Sequence, residues 1–335
     1  MAYTVRTQPH DYQFTVEEGQ TILDAALHQS ILLPYGCRSG NCGVCRSKLI
    51  EGTVTYETPP GVEVNADEVL LCKALPTSDL VIKAEVRSDS KIIDIKQMPC
   101  RIEKKQMLSH DVMQLYLKVP DNEKLVFYAG QFVDFILEGG KRRSYSLANA
   151  PGNGELIELH LRHVEGGSFS GFIFNEAKEK DILRIEGPFG RFALRKDSEL
   201  PIIFIAGGTG FAPIKSVIED MFANQIMRPI HLYWGVRAKE DLYMHDLAMS
   251  WADKYQHIEY IPVLSAAKPE DNWQGRTGFV HEAVVQDFAD LSGYEVYAAG
   301  PPIMIDAARQ PFANKNLSED RFFCDAFEYN TALPG

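Results

Sequence analysis

Several things are scarce in this chain of 335 residues. No apolar run reaches the roughly 18 residues that mark a membrane-spanning helix, so no span is expected. The opening Met-Ala-Tyr-Thr-Val-Arg-Thr-Gln has no apolar signal core, and the expected compartment is the cytoplasm, where thiols stay reduced. Basic charge is short: 34 Lys and Arg stand against 46 Asp and Glu, a net charge of −12. Nucleic acid demands a basic footprint, so no nucleic-acid partner is expected. The acidic balance fits docking to a basic patch, but solubility is the preferred explanation. Cysteine is also sparse, with six residues. In a long chain without a signal segment these do not read as a disulfide scaffold.

What is present describes a globular protein. Hydrophobic residues make up 45% and charged residues 24%, and the length suggests two or three domains, each able to bury a core.

Four of the cysteines form a pattern. Cys37, Cys42 and Cys45 stand at C-x4-C-x2-C in Tyr-Gly-Cys-Arg-Ser-Gly-Asn-Cys-Gly-Val-Cys-Arg, and Cys72 follows in Leu-Leu-Cys-Lys-Ala. This is the plant-type 2Fe-2S spacing: a tight loop supplies three thiolates and a distant residue supplies the fourth. Structural zinc usually takes two C-x2-C-like pairs instead. Gly36, Gly40 and Gly43 let the loop curl so that N–H groups face sulfur. Arg38, Arg46, Lys48 and Lys73 surround the loop, where they either meet a partner or hold the loop. Cys100 and Cys324 lie outside the pattern and read as ordinary semi-buried thiols.

The pattern of elements divides the chain at 97 and 195. In 1–97, alternating segments at 3–7 and 12–16 flank a His10-Asp11 turn, and a helix begins at about Thr21, with Thr21 or Gln20 near its N-cap. After the cysteine loop, 46–51, 52–56 and 80–86 read as strands, and 87–97 as a strand or linker. In 98–195, short strands at 100–104, 112–118, 131–137, 156–162 and 182–186 are separated by turn clusters at 120–122, 138–140 and 152–154. These predict a small antiparallel barrel. In 196–335, the apolar run 200–206 ends at Gly-Gly-Thr-Gly-Phe-Ala-Pro, with a helix expected from Ile214 to about Asn224. Strands at 230–234, 258–263 and 295–299 and helices at 242–254, 280–288 and 303–313 continue a doubly wound parallel sheet.

The second and third segments carry cofactor motifs. Arg142-Arg143-Ser144-Tyr145-Ser146 contains the Arg-x-Tyr-Ser flavin signature of the ferredoxin–NADP reductase superfamily. An arginine suits a pyrophosphate, an aromatic ring suits the flavin, and Ser146 suits the flavin N5. Alone, this stretch is equally a strand with a polar face. Gly166-Gly167-Ser168-Phe169-Ser170 leads into a short helix whose start suits phosphate. A Gly/Ser hairpin tip is the plain alternative. His160 and Arg162 sit on the strand expected along the adenine half of FAD. Gly208, Thr209, Gly210 and Pro213 form the superfamily's nucleotide turn, and Gly300-Pro301 opens a second helix. Arg237 and Lys239 would favour a 2′-phosphate, but Glu240 and Asp241 oppose it. NADH is therefore preferred, with NADPH left open. His110, His245 and His281 read as structural or surface histidines.

Over nearly its whole length the chain resembles the ferredoxin-fused NAD(P)H reductases of the ferredoxin–NADP reductase superfamily. The resemblance implies a β-grasp ferredoxin domain (1–97), an FAD-binding antiparallel barrel (98–195) and a parallel NAD-binding sheet (196–335). It implies electron transfer from NADH through FAD and a 2Fe-2S cluster to a partner enzyme. Cys37, Cys42, Cys45 and Cys72 would hold the cluster. Arg143, Tyr145, Ser146, His160, Arg162, Gly167, Phe169 and Ser170 would hold FAD. Gly208, Thr209, Gly210, Pro213, Arg237, Asp241, Gly300 and Pro301 would hold the nucleotide. Ser146 would hydrogen-bond the flavin N5, the atom that receives the hydride, and Phe327, in the aromatic tail 321–329, would lie near the flavin face and yield to the nicotinamide. The superfamily usually places Cys before Gly-Pro, where this chain has Ala299. Stretches 144–151, 207–215, 231–237, 273–282 and 323–327 are most similar to the CDP-6-deoxy-Δ3,4-glucoseen reductases (CDP-4-dehydro-6-deoxyglucose reductases), which serve a pyridoxamine-phosphate dehydratase. The domain order is also that of mono- and dioxygenase reductase components, so an oxygenase is the alternative acceptor.

Overall fold

The computed structural model describes residues 2–86, 93–152 and 156–327. It divides into two compact units, Met1–Ile93 with Ala326–Glu328, and Asp94–Asp325 with Tyr329–Gly335. Three expectations fall partly outside the described residues: the linker 87–97, the turn 152–154 and the tail 321–329.

The first unit is built on a five-stranded sheet in the order Gln13–Glu17, Ala2–Gln8, Leu80–Lys83, Arg46–Glu51, Glu68–Leu70. Ala2–Gln8 pairs antiparallel with Gln13–Glu17 and parallel with Leu80–Lys83. The helix Ile22–His28 buries Ile22, Leu23, Ala25 and Ala26. Thr21 caps it, its hydroxyl accepting the Asp24 N–H at 3.1 Å, as its residue type suggested. Expected strand 52–56 shrinks to Val54–Thr55, which pairs with Leu75–Pro76 in a separate small sheet. Expected strand 80–86 stops at Lys83.

The second unit begins with a six-stranded antiparallel sheet. Its order is Arg142–Ser146, Phe132–Ile136, Ile182–Phe189, Lys96–Met107, Val112–Lys118, Leu156–Arg162. A bridge between Leu147 and Leu159 joins the two ends and closes the barrel. Alternate residues point inward, so Met98, Cys100, Ile102, Leu115, Leu117, Phe135, Leu159 and Leu161 form one core with Phe169 and Ile173 of the helix Ser168–Asn175. Burial pushes the Cys100 thiol up to about 12, as befits an inert core thiol.

The rest of the unit is built on a six-stranded sheet in the order Arg276–Thr277, Ile258–Leu264, Ile230–Val236, Ile202–Gly207, Glu295–Gly300, Phe322–Ala326, and its first five strands run parallel. Ile202–Gly207 is buried along its whole length, so it reads as an unbroken apolar run rather than an alternating one. The chain winds outward from this strand to one side and then returns to Glu295–Gly300 on the other. Strand order therefore reverses at Ile202–Gly207, and the crevice beyond its carboxyl end is the natural ligand site. Two helix starts differ from expectation by three residues. The first helix begins at Phe211, three residues before Ile214, because Pro213 stands in its first turn, where no N–H partner is needed. The next begins at His245, because Lys239–Asp241 forms a short 3-10 turn closed by the Asp241 side chain.

Candidate cofactor sites

The cysteine loop is shaped by two glycines with positive φ, Gly40 at 86° and Gly43 at 70°. A Cβ on Gly40 would also press on Lys73. The curl aims backbone donors at sulfur. Cys37 Sγ accepts from the Ser39 and Cys42 amides, each at 3.4 Å, and Cys42 Sγ accepts from the Cys37 amide at 3.3 Å. The Cys45 thiol donates to Cys72 Sγ at 3.2 Å, although 27 residues separate them. The hydrogen bond from Cys42, outweighing burial, holds the Cys37 thiol down to about 5, and Cys72 is lowered by Cys45 in the same way. Their partners Cys42 and Cys45 are pushed up. Four cysteine sulfurs brought together, three of the residues buried, with amides turned toward sulfur, are a donor set suited to iron and sulfide. Arg38 Nη2 reaches Asp24 at 3.3 Å and Arg46 Nη2 donates to the Glu63 carbonyl at 2.8 Å, so both hold the loop.

In the barrel, Ser146 ends the strand Arg142–Ser146, and its hydroxyl donates to Asp325 Oδ2 at 3.2 Å. The Tyr145 ring packs edge-on to Phe135 at 5.8 Å, and Arg143 is half-buried with Nη1 on the Arg142 carbonyl at 2.8 Å. Among the described residues no side chain caps the helix Ser168–Asn175, whose first N–H groups suit a phosphate.

At the switch point a cleft of about 230 Å³ is lined by Gly207, Gly208, Thr209, Arg237, Asp241 and Pro301, with Asp111 and Arg162 from the barrel. Close packing makes the turn. A Cβ on Gly210 would collide with the Ala299 carbonyl oxygen. The Trp234 indole donates to the Gly208 carbonyl at 2.9 Å and stacks on Phe211 at 4.0 Å between centroids. Asp241 accepts the Ala238 N–H at 2.9 Å and stays on the cleft wall, while Glu240 is drawn to Lys268 at 3.0 Å. His110 Nε2 lies 3.8 Å from both Asp111 and Asp241.

The chain matches three family descriptions in turn: 2Fe-2S iron-sulfur cluster binding domain over residues 5–77, oxidoreductase FAD-binding domain over 99–194, and oxidoreductase NAD-binding domain over 204–310. It is 43% identical to the CDP-6-deoxy-L-threo-D-glycero-4-hexulose-3-dehydrase reductase of Yersinia pestis, across 98% of this chain and 99% of that protein. The chain belongs to the ferredoxin-fused FAD- and NAD-dependent reductases.

Other reductases of this kind are similar too. The reductase component of phenol 2-monooxygenase from a Pseudomonas species is 36% identical over 98% of this chain and 95% of its own length. The solved ferredoxin reductase of carbazole 1,9a-dioxygenase is 28% identical, covers 98% of this chain and 99% of its own, and has a TM-score of 0.72. This reductase therefore takes electrons from NADH and passes them by way of FAD and a 2Fe-2S cluster to an electron-accepting partner. Among the described residues no helix is long and apolar enough to cross a membrane.

Three residues expected at the flavin have side chains engaged within the protein in this reductase. The His160 side chain is fully buried, with Nε2 2.9 Å from Glu158 and Nδ1 3.0 Å from Tyr243, so its ring is spent inside the protein. Phe169 is a core residue at 4% exposure, because the helix it begins plugs the barrel. Ser170 turns its hydroxyl onto Val164 and Gly167, at 3.2–3.3 Å, building the turn itself. At both positions only the backbone remains to meet a ligand. Arg162 donates to Asp111 at 2.6 Å and lines the same cleft as the nucleotide turn. Ala299 is fully buried behind Gly210, a packing role. His245 bonds Tyr260 at 3.0 Å and His281 stacks on Phe279 at 5.9 Å, consistent with structural roles. Asp325 and Tyr243 are site neighbours that no sequence signal marked. Each depends on a contact between distant elements.

Proposed function

We propose that this reductase delivers its electrons to a pyridoxamine-phosphate sugar dehydratase acting on a CDP-linked deoxyhexulose. The observation that carries this is the 43% identity to the Yersinia hexulose-dehydrase reductase, against 36% to the phenol 2-monooxygenase component at the same coverage. An oxygenase acceptor is the second reading, favoured by the carbazole-dioxygenase reductase fold.

The same proposal assigns the residues. Cys37, Cys42, Cys45 and Cys72 hold the cluster, which the paired thiols and inward amides support. Arg143 meets the FAD pyrophosphate, and Gly167 leaves the following N–H groups open to it. Tyr145 flanks the flavin, and Ser146 presents its hydroxyl there. Gly208, Thr209, Gly210, Pro213, Gly300 and Pro301 form the dinucleotide cradle. Arg237 and Arg162 offer positive charge, and Asp241 favours a ribose hydroxyl over a 2′-phosphate. Phe327 yields to the nicotinamide, as the resemblance implies. Domain limits near 97 and 195 belong to the same proposal, and the gaps between the matched segments 5–77, 99–194 and 204–310 support them.

The test is reconstitution. The FAD- and cluster-loaded reductase is mixed anaerobically with NADH and either a pyridoxamine-phosphate CDP-hexulose dehydratase with its sugar or an oxygenase hydroxylase with its aromatic substrate. Sugar deoxygenation well above the reductase-free control supports the proposal. Turnover with the hydroxylase alone replaces it.

A further inference from the structure

The second unit buries a Lys215–Glu158 ion pair that electron transfer does not call on. Lys215, on the helix Phe211–Ala223, is 5% exposed. Its ammonium donates to the Ala148 carbonyl at 3.0 Å, to Glu158 Oε2 at 3.0 Å and to Glu219 Oε1 at 2.8 Å. Glu158, on the barrel strand Leu156–Arg162, accepts Gln114 Nε2 at 2.8 Å and His160 Nε2 at 2.9 Å on its other oxygen. Burial alone would raise this carboxyl, but His160 and Lys215 outweigh it and bring it down to about 2.

That charge fixes every proton in the chain. A carboxylate only accepts, so His160 must carry its hydrogen on Nε2. Burial holds His160 below its ordinary range, so it is neutral and Nδ1 is an acceptor. Tyr243 therefore donates its phenol proton to Nδ1 across 3.0 Å. The Tyr243 ring stands edge-on to Trp234, Phe211 and His160, at 5.1, 6.1 and 5.3 Å, and lines the cleft beside Gly208 and Thr209.

A pair of apolar side chains would fill the Lys215–Glu158 space at lower desolvation cost. The polar solution does something an apolar one could not: it runs from the nucleotide-turn helix through the barrel strand to the hydroxyl of a tyrosine that lines the cleft. We propose that Tyr243 is a positioning residue for the dinucleotide, and that Lys215, Glu158 and His160 set its orientation. This rests on the cleft being the dinucleotide site. With its hydroxyl anchored, the ring is ordered before the ligand arrives, and that entropy cost is not charged to binding.

The experiment uses the FAD- and cluster-loaded protein. NAD+ affinity is read by calorimetry, and NADH KM and kcat with ferricyanide as acceptor. Tyr243→Phe keeps the ring and loses the anchor. His160→Leu keeps the tyrosine and loses its acceptor. Each should weaken NAD+ binding and raise NADH KM by roughly 3–10-fold, the worth of one hydrogen bond, with kcat and flavin content near wild type. The double variant should lose no more than either single. A merely structural role would lower the melting temperature and flavin content while leaving the NAD+ affinity of folded protein unchanged. Single variants binding NAD+ within two-fold of wild type overturn the proposal, as do additive losses in the double variant. Thr209→Val separates the premise: if it leaves NAD+ affinity unchanged, the cleft is not the dinucleotide site and both readings fall.

Discussion

The Ser146 hydroxyl donates to Asp325 Oδ2 at 3.2 Å, joining residues 179 positions apart. Ser146 closes the strand that carries the flavin signature, and Asp325 is 5% exposed in the strand Phe322–Ala326. A buried carboxylate beside that serine decides where its hydroxyl hydrogen points. Asp325→Asn should therefore slow flavin reduction by NADH by roughly ten-fold or more, since a hydrogen bond to a charged group is worth about 1.5–3 kcal/mol. Stopped-flow bleaching of the flavin measures this. An unchanged rate in the variant would leave Asp325 with a packing role alone.

Cys42→Ser should abolish the visible absorbance of the cluster and leave FAD in place. Electron transfer from NADH to ferricyanide should then persist at a comparable rate, because the cysteine loop and the barrel lie in separate compact units. Loss of flavin along with the cluster would contradict that independence.

Gly210→Ala tests the nucleotide turn. Its methyl would collide with the Ala299 carbonyl, backbone against backbone, so no side chain can swing away to relieve it. Overpacking of this kind costs about 1–3 kcal/mol. A fall in melting temperature together with weakened NAD+ binding is expected, and calorimetry with and without NAD+ reads both.

Acid should weaken the second unit in two stages. His160 has its folded pKa depressed by burial, so its contribution is complete above its ordinary 6.5 and is lost as pH falls below that. Glu158 is also depressed, from 4.5 to about 2, so its contribution is complete above 4.5 and is lost as pH falls toward 2. The second loss is on the order of 3 kcal/mol. Glu158→Gln should flatten the slope between pH 4.5 and 2. At neutral pH it should cost about 1.5–3 kcal/mol, because Lys215 loses the Glu158 charge but keeps Glu219. Urea unfolding at a series of pH values measures both.

Much of the fold was legible because its signals are local. Leu156–Arg162 and Val112–Lys118 have the bounds that alternation suggested, and Thr21 caps its helix as its residue type requires. The departures have equally physical causes. Phe169 stands in a Gly/Ser turn expected at the flavin, and its ring packs into the barrel core with Ile173 of the same helix. His160 sat on the right strand, yet a carboxylate two residues away and a tyrosine 83 positions on took both its nitrogens.

By itself the sequence determined the cofactors. Thiolate ligation and phosphate cradling need particular residue types at short, rigid spacings, and Cys37–Cys45 and Gly207–Gly210 carry those spacings in contiguous chain. Only the tertiary structure decided which polar side chains are oriented and by what. The partners of Ser146, Lys215 and His160 lie 179, 57 and 83 residues away, and they become neighbours only when the barrel and the parallel sheet bury the charges that spacing alone leaves in water.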